Sequence, residues 1–298
     1  ATEDRDLPDT EAGWRDALSA LTVPEAWNLY TEDLSKPAFM QPPVPEGTLD
    51  DWKKIHPTEY DVPVLSKSHA LKMRRLHSPT DEHWLYLLVN VQTTGFYSPG
   101  GRSISRMASR TASRPFYGLT PSLRLGKWLL HDMRTIKKHI TDIEETYSFD
   151  RKASPLLWTE QWRVEEQYDL SEMHPIYIDC ARRIRKDRVW KKKSTEQDWI
   201  HASKANSPRE KMPTGDPWAP INYKEEAVLN CRRKHFQYRD LYRILFTSEY
   251  KLPVSFKEEV KGYVVCRAIT GKKGKRSFFL ERVIPFSNRR RGWDEVEQ

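Results

Sequence analysis

Apolar residues recur at steps of three and four along two long segments, and this spacing predicts two long helices. The first is predicted over 120–147, with Thr120 as the N-cap and Pro121 in the first turn. The second is predicted over 223–250. The apolar positions of the first helix are expected to face the core. They are Leu123, Leu129 or Leu130, Met133, Ile136, Ile140, Ile143 and Tyr147.

Three shorter helices are predicted outside these two segments. One covers 68–76, and the other two begin at Pro155 and Pro175, because proline is favoured in the first turn of a helix. The apolar run at 84–91 fits a buried strand and a helix equally well, since its length does not separate the two.

The pattern changes near the end of the chain. Alternating β-branched and aromatic residues at 263–269 and 277–284 predict two strands. Gly271 and Gly274 lie between them and predict a tight hairpin turn with a basic tip, because glycine adopts positive φ without strain. A lone hairpin is only marginally stable, so it is expected to pack on the helices or on another sheet.

These elements predict a mainly α fold of the α+β class, made of three regions. Residues 1–65 form an extended arm rich in proline and aromatic residues, 66–260 a mainly helical body with a Ser/Arg-rich loop at 102–115, and 261–298 the β-hairpin and a basic tail. Two interpretations of the arm stay open: it lies across another protein, or it wraps around its own domain. Its predicted interface anchors are Trp14, Trp27, Tyr30, Phe39 and Trp52.

Length, hydropathy and cysteine content exclude several classes of protein. A chain of 298 residues allows one or two domains, and no run approaches the roughly 18 apolar residues of a membrane span. The three cysteines, Cys180, Cys231 and Cys266, are far apart and form no CxxC pair. This pattern argues against a disulfide framework or a zinc site and favours a reducing compartment.

The most distinctive local feature is a Ser-rich tract in which arginine recurs every four residues, at Arg102, Arg106, Arg110 and Arg114. On a helix this spacing puts the four guanidinium groups on one stripe. Arginine binds phosphate oxygens in a bidentate way, and the tract contains no acid to compete. The alternative is a solvated loop whose arginines pair with acids of the same protein.

Further basic clusters are interleaved with aromatic residues, a combination typical of phosphate binding with base stacking. The same clusters would also suit acidic proteins or cardiolipin head groups. The net charge is only +8, so acidic segments balance the basic ones. The predicted contact residues are Arg182, Arg183, Arg185, Lys186, Arg188, Lys191, Lys192, Lys193, Arg232, Arg233, Lys272, Lys273, Lys275, Arg289, Arg290 and Arg291.

No motif for catalysis, metal binding or nucleotide binding is present. The sequence lacks HExxH, GxSxG and the Rossmann glycine pattern. The glycine-rich stretch before the arginine tract is not a Walker loop, because Arg102 follows Gly101 where that loop needs lysine. The sequence therefore predicts no enzyme activity, no cofactor and no metal.

These observations predict a structural subunit of a large mitochondrial assembly, in the matrix or on the matrix face of the inner membrane. The compartment is inferred from the pI near 9.2, the cysteine pattern and a start at Ala1, which fits removal of a targeting peptide or a trimmed sequence. The first candidate is a mitochondrial ribosomal protein that contacts rRNA and several neighbouring proteins. The alternative is an accessory subunit of a respiratory complex or ATP synthase that contacts acidic protein surfaces and an anionic lipid such as cardiolipin.

Overall fold

The fold is built mainly from three small antiparallel sheets. The structure, a computed structural model, describes residues 8–55, 79–94, 115–164, 168–178, 180–190, 196–203, 216–229, 238–258, 261–272 and 275–286. Within these ranges it contains nine strands in three three-stranded sheets, together with four α-helices. The prediction of a mainly helical body is therefore wrong. No helix in the described part of the chain is both long and apolar enough to cross a membrane.

Helices and strands are interspersed along the chain. The helices are α1 (Glu11–Ser19), α2 (Asp81–Thr94), α3 (Leu125–Tyr147) and α4 (Tyr238–Phe246), with short 3-10 helices at Pro24–Trp27, Leu157–Thr159, Leu170–Glu172 and Val254–Lys257. The strands are β1 (Lys53–Ile55), β2 (Phe116–Thr120), β3 (Ile184–Trp190), β4 (Glu196–Ala202), β5 (Ile221–Asn222), β6 (Ala227–Val228), β7 (Tyr250–Lys251), β8 (Gly262–Lys272) and β9 (Lys275–Phe286).

The first sheet has the order β1-β4-β3 and packs against α2. Ile200 of β4 pairs with Ile55 on one side and with Lys186 on the other. The open question at 84–91 is settled as a helix, because Trp84, Leu87, Leu88 and Val91 are buried at helical spacing. Their neighbours Leu85, Tyr86 and Val89 are exposed.

The second sheet has the order β2-β8-β9 and contains the predicted hairpin, whose two strands are confirmed. Alternate residues of β8, namely Val264, Cys266 and Ala268, are buried in a cluster that includes Leu241 and Ile244 of α4. This alternation fixes the register, because a slip of one residue would turn the apolar face outward.

A close backbone contact pins the start of this hairpin. A Cβ atom on Gly262 would overlap the carbonyl oxygen of Thr120 at the end of β2. The position therefore accepts glycine alone without a shift of the backbone.

The third sheet, β6-β5-β7, lies where a long helix was predicted over 223–250, so among the described residues of that range the prediction is wrong except for α4. Asn222 Oδ1 accepts hydrogen bonds from the backbone N–H groups of Lys224 and Glu225, at 2.9 and 3.0 Å. Such a side-chain turn offers the backbone an alternative to a helix.

Two other predicted helices are also absent. The segment after Pro175 leads into β3, whose backbone partners lie in β4, and the segment after Pro155 forms only the short 3-10 helix Leu157–Thr159. The long helix predicted from Thr120 begins at Leu125, because Thr120 closes β2. The helix predicted at 68–76 lies outside the described residues.

The N-terminal segment, residues 8–55, packs against the rest of this chain. The indole N–H of Trp158 donates to the carbonyl of Ala26 at 3.1 Å. The rings of Trp27 and Phe39 each lie 5.7 Å from the ring of Trp158, in edge-on geometry. Two of the predicted interface anchors are thus in contact with the protein's own core, whereas Trp14 is exposed on α1.

Candidate nucleic-acid interface

The predicted basic residues divide into a described and an undescribed group. Arg182, Arg183, Arg185 and Lys186 are buried at or beside β3. Arg188 lies further along β3, and Lys272 and Lys275 face each other at the tip of the hairpin. The others lie outside the described residues, and their role stays a prediction. They are Arg102, Arg106, Arg110, Arg114, Lys191, Lys192, Lys193, Arg232, Arg233, Lys273, Arg289, Arg290 and Arg291.

Arg185 is bound by backbone carbonyls of the N-terminal segment. Its Nη1 donates to the carbonyls of Lys36 at 2.9 Å and Pro42 at 3.5 Å. Its Nη2 donates to those of Thr31 at 3.4 Å and Asp33 at 3.3 Å. Burial lowers the pKa of Arg185 to about 10, so the side chain is still charged at neutral pH. This guanidinium fastens the N-terminal segment to the first sheet.

Two further cations of this cluster contact aromatic rings and an acid of the same chain. Arg183 Nη2 lies 2.7 Å from both carboxylate oxygens of Glu46, and its guanidinium lies 5.0 Å from the ring centre of Trp52. The ammonium of Lys186 lies 5.1 Å from the ring centre of Trp84 and 5.9 Å from that of Tyr30. A phosphate at either residue would have to replace these contacts.

Two glutamines also join the N-terminal segment to the region of β3, and this contact is called the junction. Sequence analysis did not identify these two residues. The Gln92 side chain donates to the carbonyls of Met40 at 2.6 Å and Arg182 at 3.0 Å, and accepts from the Arg182 N–H at 2.8 Å. Gln41 accepts from the N–H of Lys186 at 2.6 Å and donates to the carbonyl of Leu29 at 3.0 Å. Both residues are fully buried. A lone glutamine among apolar residues is the only sequence signal.

The exposed side of α3 carries apolar residues that were predicted to face the core. Leu125, Leu129 and Met133 are 70%, 47% and 50% exposed and recur every four residues, so they form one stripe. For Leu123 and Met133 the predicted orientation is wrong, and of the alternatives Leu129 and Leu130 the first is exposed and the second half-buried, whereas Ile143 is buried as predicted. The helix instead buries Trp128 and Thr135, which lie about 100 to 120° around the helix from this stripe.

Lys137 continues this stripe at the next four-residue step, and further cations lie on other exposed sides of the helix. Lys127, Arg134, Lys137 and Lys138 are exposed, although Lys138 also pairs with Glu258 at 3.0 Å, and Asp132 is the one acid between residues 125 and 140. Burial raises the pKa of Asp132 to about 7, so this carboxyl is often neutral at physiological pH. The apolar stripe and these cations together are called the outward face of α3.

The last turns of α3 have the opposite charge. Asp142 pairs with Lys257 at 2.8 Å, and Glu144 pairs with Arg151 at 2.7 Å. The Lys257 ammonium, as hydrogen-bond donor and opposite charge, holds the pKa of Asp142 below its usual value. These acids lie at the negative end of the helix dipole, so the two cations also offset an unfavourable placement. Positive charge on α3 is therefore concentrated in its first two thirds.

The described residues show no arrangement for metal or thiol chemistry. Among them, no group of three or more His, Cys, Asp or Glu side chains is placed to hold a metal ion. Cys180 and Cys266 are buried, and burial raises the pKa of Cys266 to about 12. The arrangement that this part of the chain does offer is a basic and apolar surface, suited to phosphate groups with nonpolar neighbours.

Comparison with known proteins identifies the fold. No protein-family model and no curated protein matches this sequence. Solved structures do match: a CasA structure from Thermus thermophilus has a TM-score of 0.53 and 13% identity, over 93% of this chain and 56% of that chain. A CRISPR associated protein from Thermus thermophilus gives 0.52 and 14%, over 93% and 56%. A second structure of Thermus thermophilus CasA, also called Cse1, gives 0.52 and 14%, over 92% and 58%.

These matches overturn the predicted cellular setting. A mitochondrial ribosomal protein, its alternative of a respiratory-complex or ATP synthase subunit, and the mitochondrial location are all wrong, because the matching fold is that of bacterial CRISPR-associated proteins. The basic composition misled, since it is also compatible with other nucleic-acid-rich settings. The chain spans somewhat over half the length of the matched structures, and over nearly its own whole length it has the fold of Thermus thermophilus CasA.

Proposed function

We propose that this protein is a CRISPR-associated protein of the CasA type, which acts in a bacterial cell as one subunit of a nucleic-acid-binding complex of several proteins. The observation that carries the proposal is the match of 93% of the chain to a CasA structure at a TM-score of 0.53. The broader prediction of several protein partners and a nucleic acid is kept in this form. The specific partners rRNA and cardiolipin have no support.

Nucleic-acid contact is proposed to use the sugar-phosphate backbone. The outward face of α3 offers cations beside apolar side chains, and the arginine tract at 102–114 offers four evenly spaced guanidinium groups. Contacts of this kind position a strand without determining which sequence is bound. The role is proposed to be non-catalytic, in keeping with the sequence prediction.

The membership of a complex is tested by affinity purification of the tagged full chain from its native host, with and without nuclease. We expect other CRISPR-associated proteins and a nucleic acid to co-purify, and the nucleic acid to be lost after nuclease treatment. Recovery of the chain without any CRISPR-associated protein, in low-salt buffer, would overturn the proposal.

The phosphate-binding role of the tract is tested by salt titration of nucleic-acid binding. Replacing Arg106, Arg110 and Arg114 by alanine should flatten the dependence of log K on log salt by about one unit for each lost phosphate contact. The matched control replaces Arg15, Arg163 and Arg243, three arginines that pair with acids of the same chain. An equal change of slope in both triple variants would show a general charge effect and exclude a specific role for the tract.

A further inference from the structure

A cleft of about 640 Å³ lies between the C-terminal end of α3, the 3-10 helix Leu170–Glu172 and the third sheet. This volume is within the range of pockets that bind small organic molecules, about 300 to 1,000 Å³. None of the predicted site residues lines it. The lining residues are Thr146, Tyr147, Ser148, Asp169, Leu170, Ser171, Ile221, Asn222, Tyr223, Glu226 and Lys251.

Lys251 is the one basic side chain of this lining. It projects from β7, is half-buried, and its ammonium lies 4.8 Å from the ring centre of Tyr147. No carboxylate among the described residues lies within ion-pair distance of it, in contrast to Lys257, which pairs with Asp142. Burial, followed by repulsion from Lys257, lowers the pKa of Lys251, and attraction to Asp142 opposes this shift. A half-buried cation without an ion-pair partner is stabilised by a bound anion.

Tyr223 is a large exposed ring in the same lining. It is 62% exposed although its backbone is held firmly, because its N–H donates to the carbonyl of Glu249 at 3.0 Å and the adjacent Asn222 side chain closes the turn. An aromatic ring on a fixed backbone can stack on a planar ligand with little loss of conformational entropy.

The polar groups around the cleft are of mixed sign. Glu226 lies in the left-handed region, with φ of 46°, and Asp169 caps the neighbouring 3-10 helix. Two carboxylates beside a single lysine favour one phosphate in the cleft over several. They suit a ligand that carries one negative group together with N–H donors, as the edge of a nucleobase does.

We propose that this cleft binds one unpaired nucleotide of a nucleic-acid strand, with its base stacked on Tyr223 and its phosphate at Lys251. The inference rests on the proposed nucleic-acid-binding function. It adds a binding site for a base that is not paired in a duplex. Base stacking on an aromatic side chain contributes about 1 to 3 kcal/mol, which corresponds to a roughly 5-fold to 150-fold change in affinity.

The test measures binding of the full chain to a single-stranded oligonucleotide and to a fully paired duplex by fluorescence anisotropy. Tyr223→Ala should weaken single-strand binding about 10-fold and leave duplex binding unchanged. Tyr86→Ala is the matched control, because Tyr86 is 59% exposed on α2 and does not line the cleft. Lys251→Met should weaken single-strand binding and Lys251→Arg should largely restore it.

A second measurement locates the strand directly. The rate of acetylation of Lys251, followed by mass spectrometry, should fall in the presence of the oligonucleotide, whereas that of the exposed Lys53 should not. Protection by a free nucleoside monophosphate but not by the strand would overturn the proposal in favour of a free nucleotide.

The outcomes separate this inference from the proposed function. Wild-type affinity of both Tyr223→Ala and Lys251→Met for single strands would overturn the cleft and leave the proposed function standing. No binding of any nucleic acid by the wild-type chain would overturn the cleft together with the nucleic-acid part of the proposed function. Since Tyr223 is exposed, its replacement is not expected to affect folding.

Discussion

The region around β3 and the outward face of α3 depart in opposite ways from the usual burial of apolar residues and exposure of cations. At β3, Arg183, Arg185 and Lys186 are buried, although cations are usually exposed. On α3, Leu125 and Leu129 are exposed, although leucine is usually buried. The difference lies in the partners: the first group meets carbonyls, a carboxylate and aromatic rings of its own chain, whereas the second meets none of the described core clusters.

This comparison shows that a basic cluster in the sequence does not by itself indicate a binding surface. A cation that finds several acceptors within its own fold contributes to stability and is withdrawn from a partner. A cation beside an exposed apolar stripe stays accessible. The four predictions below test this difference.

The largest effect is expected at Arg185. Arg185→Ala should lower the free energy of unfolding by about 3 kcal/mol, since it leaves a cavity and four buried or partly buried carbonyls without their donor. Urea denaturation followed by circular dichroism measures the loss. The control is Arg15→Ala on the exposed side of α1, and a loss no larger than that of the control would contradict the structural role of Arg185.

The next largest effect is expected at Gln92, which joins α2 to Met40 of the N-terminal segment and to Arg182 beside β3. Gln92→Ala should cost about 2 kcal/mol, because it removes three hydrogen bonds of a buried side chain. The same denaturation experiment applies, with the exposed Gln161 replaced by alanine as the control. If both variants had wild-type stability, the junction would not depend on this amide.

A smaller, pH-dependent effect is expected at Asp132. Its pKa in the folded protein is raised from 3.8 to about 7, so the folded state holds the proton more tightly than the unfolded state does. This contribution to stability is complete below about pH 4 and is lost as the pH rises to about 7. Asp132→Asn should therefore be more stable than the wild type at pH 8, by about 1.5 kcal/mol once partial solvent screening is allowed for.

The measurement for Asp132 is the difference in unfolding free energy between the variant and the wild type at pH 4, 6 and 8. The difference should increase with pH. A constant difference would show that Asp132 has an ordinary pKa and that its charge opposes the cations of the outward face at neutral pH.

The smallest effect on stability is expected on the outward face itself. Leu129→Gln should change the free energy of unfolding by less than about 0.5 kcal/mol, because the side chain is already in water. Ile143→Ala at a buried position near the end of the same helix should cost at least about 2 kcal/mol and serves as the contrast. Equal losses would mean that both sides of α3 are packed.

Local patterns could be predicted from the sequence, and patterns that depend on distant partners could not. The hairpin of β8 and β9 was predictable because alternation and turn glycines are local signals. Strand β3 was not, because its partners lie in β4 and its charged residues resemble a solvated segment. The side of α3 that is buried was missed because it carries polar residues such as His131, Thr135 and His139, so the apolar stripe indicated the wrong side.

The candidate interface was predictable in residue type and not in accessibility. Basic residues at 182–186 are visible in the sequence, but the carbonyls that bind Arg185 come from residues 143 to 154 positions earlier. The cleft left almost no signal, since Tyr147, Asp169, Tyr223 and Lys251 are scattered over about a hundred residues and meet only in the folded chain.

The attachment of the N-terminal segment to Arg185 also sets an order of events during synthesis. The carbonyls of Thr31 and Lys36 leave the ribosome about 150 residues before their partner does, which at 5 to 20 residues per second is a delay of about 7 to 30 s. For most of that interval, aromatic residues such as Trp27 and Phe39 cannot contact their partner Trp158, because Trp158 has not yet been synthesised. The first part of this protein to be made therefore completes its contacts only after β3 has been synthesised, and until then its aromatic side chains are open to other apolar partners.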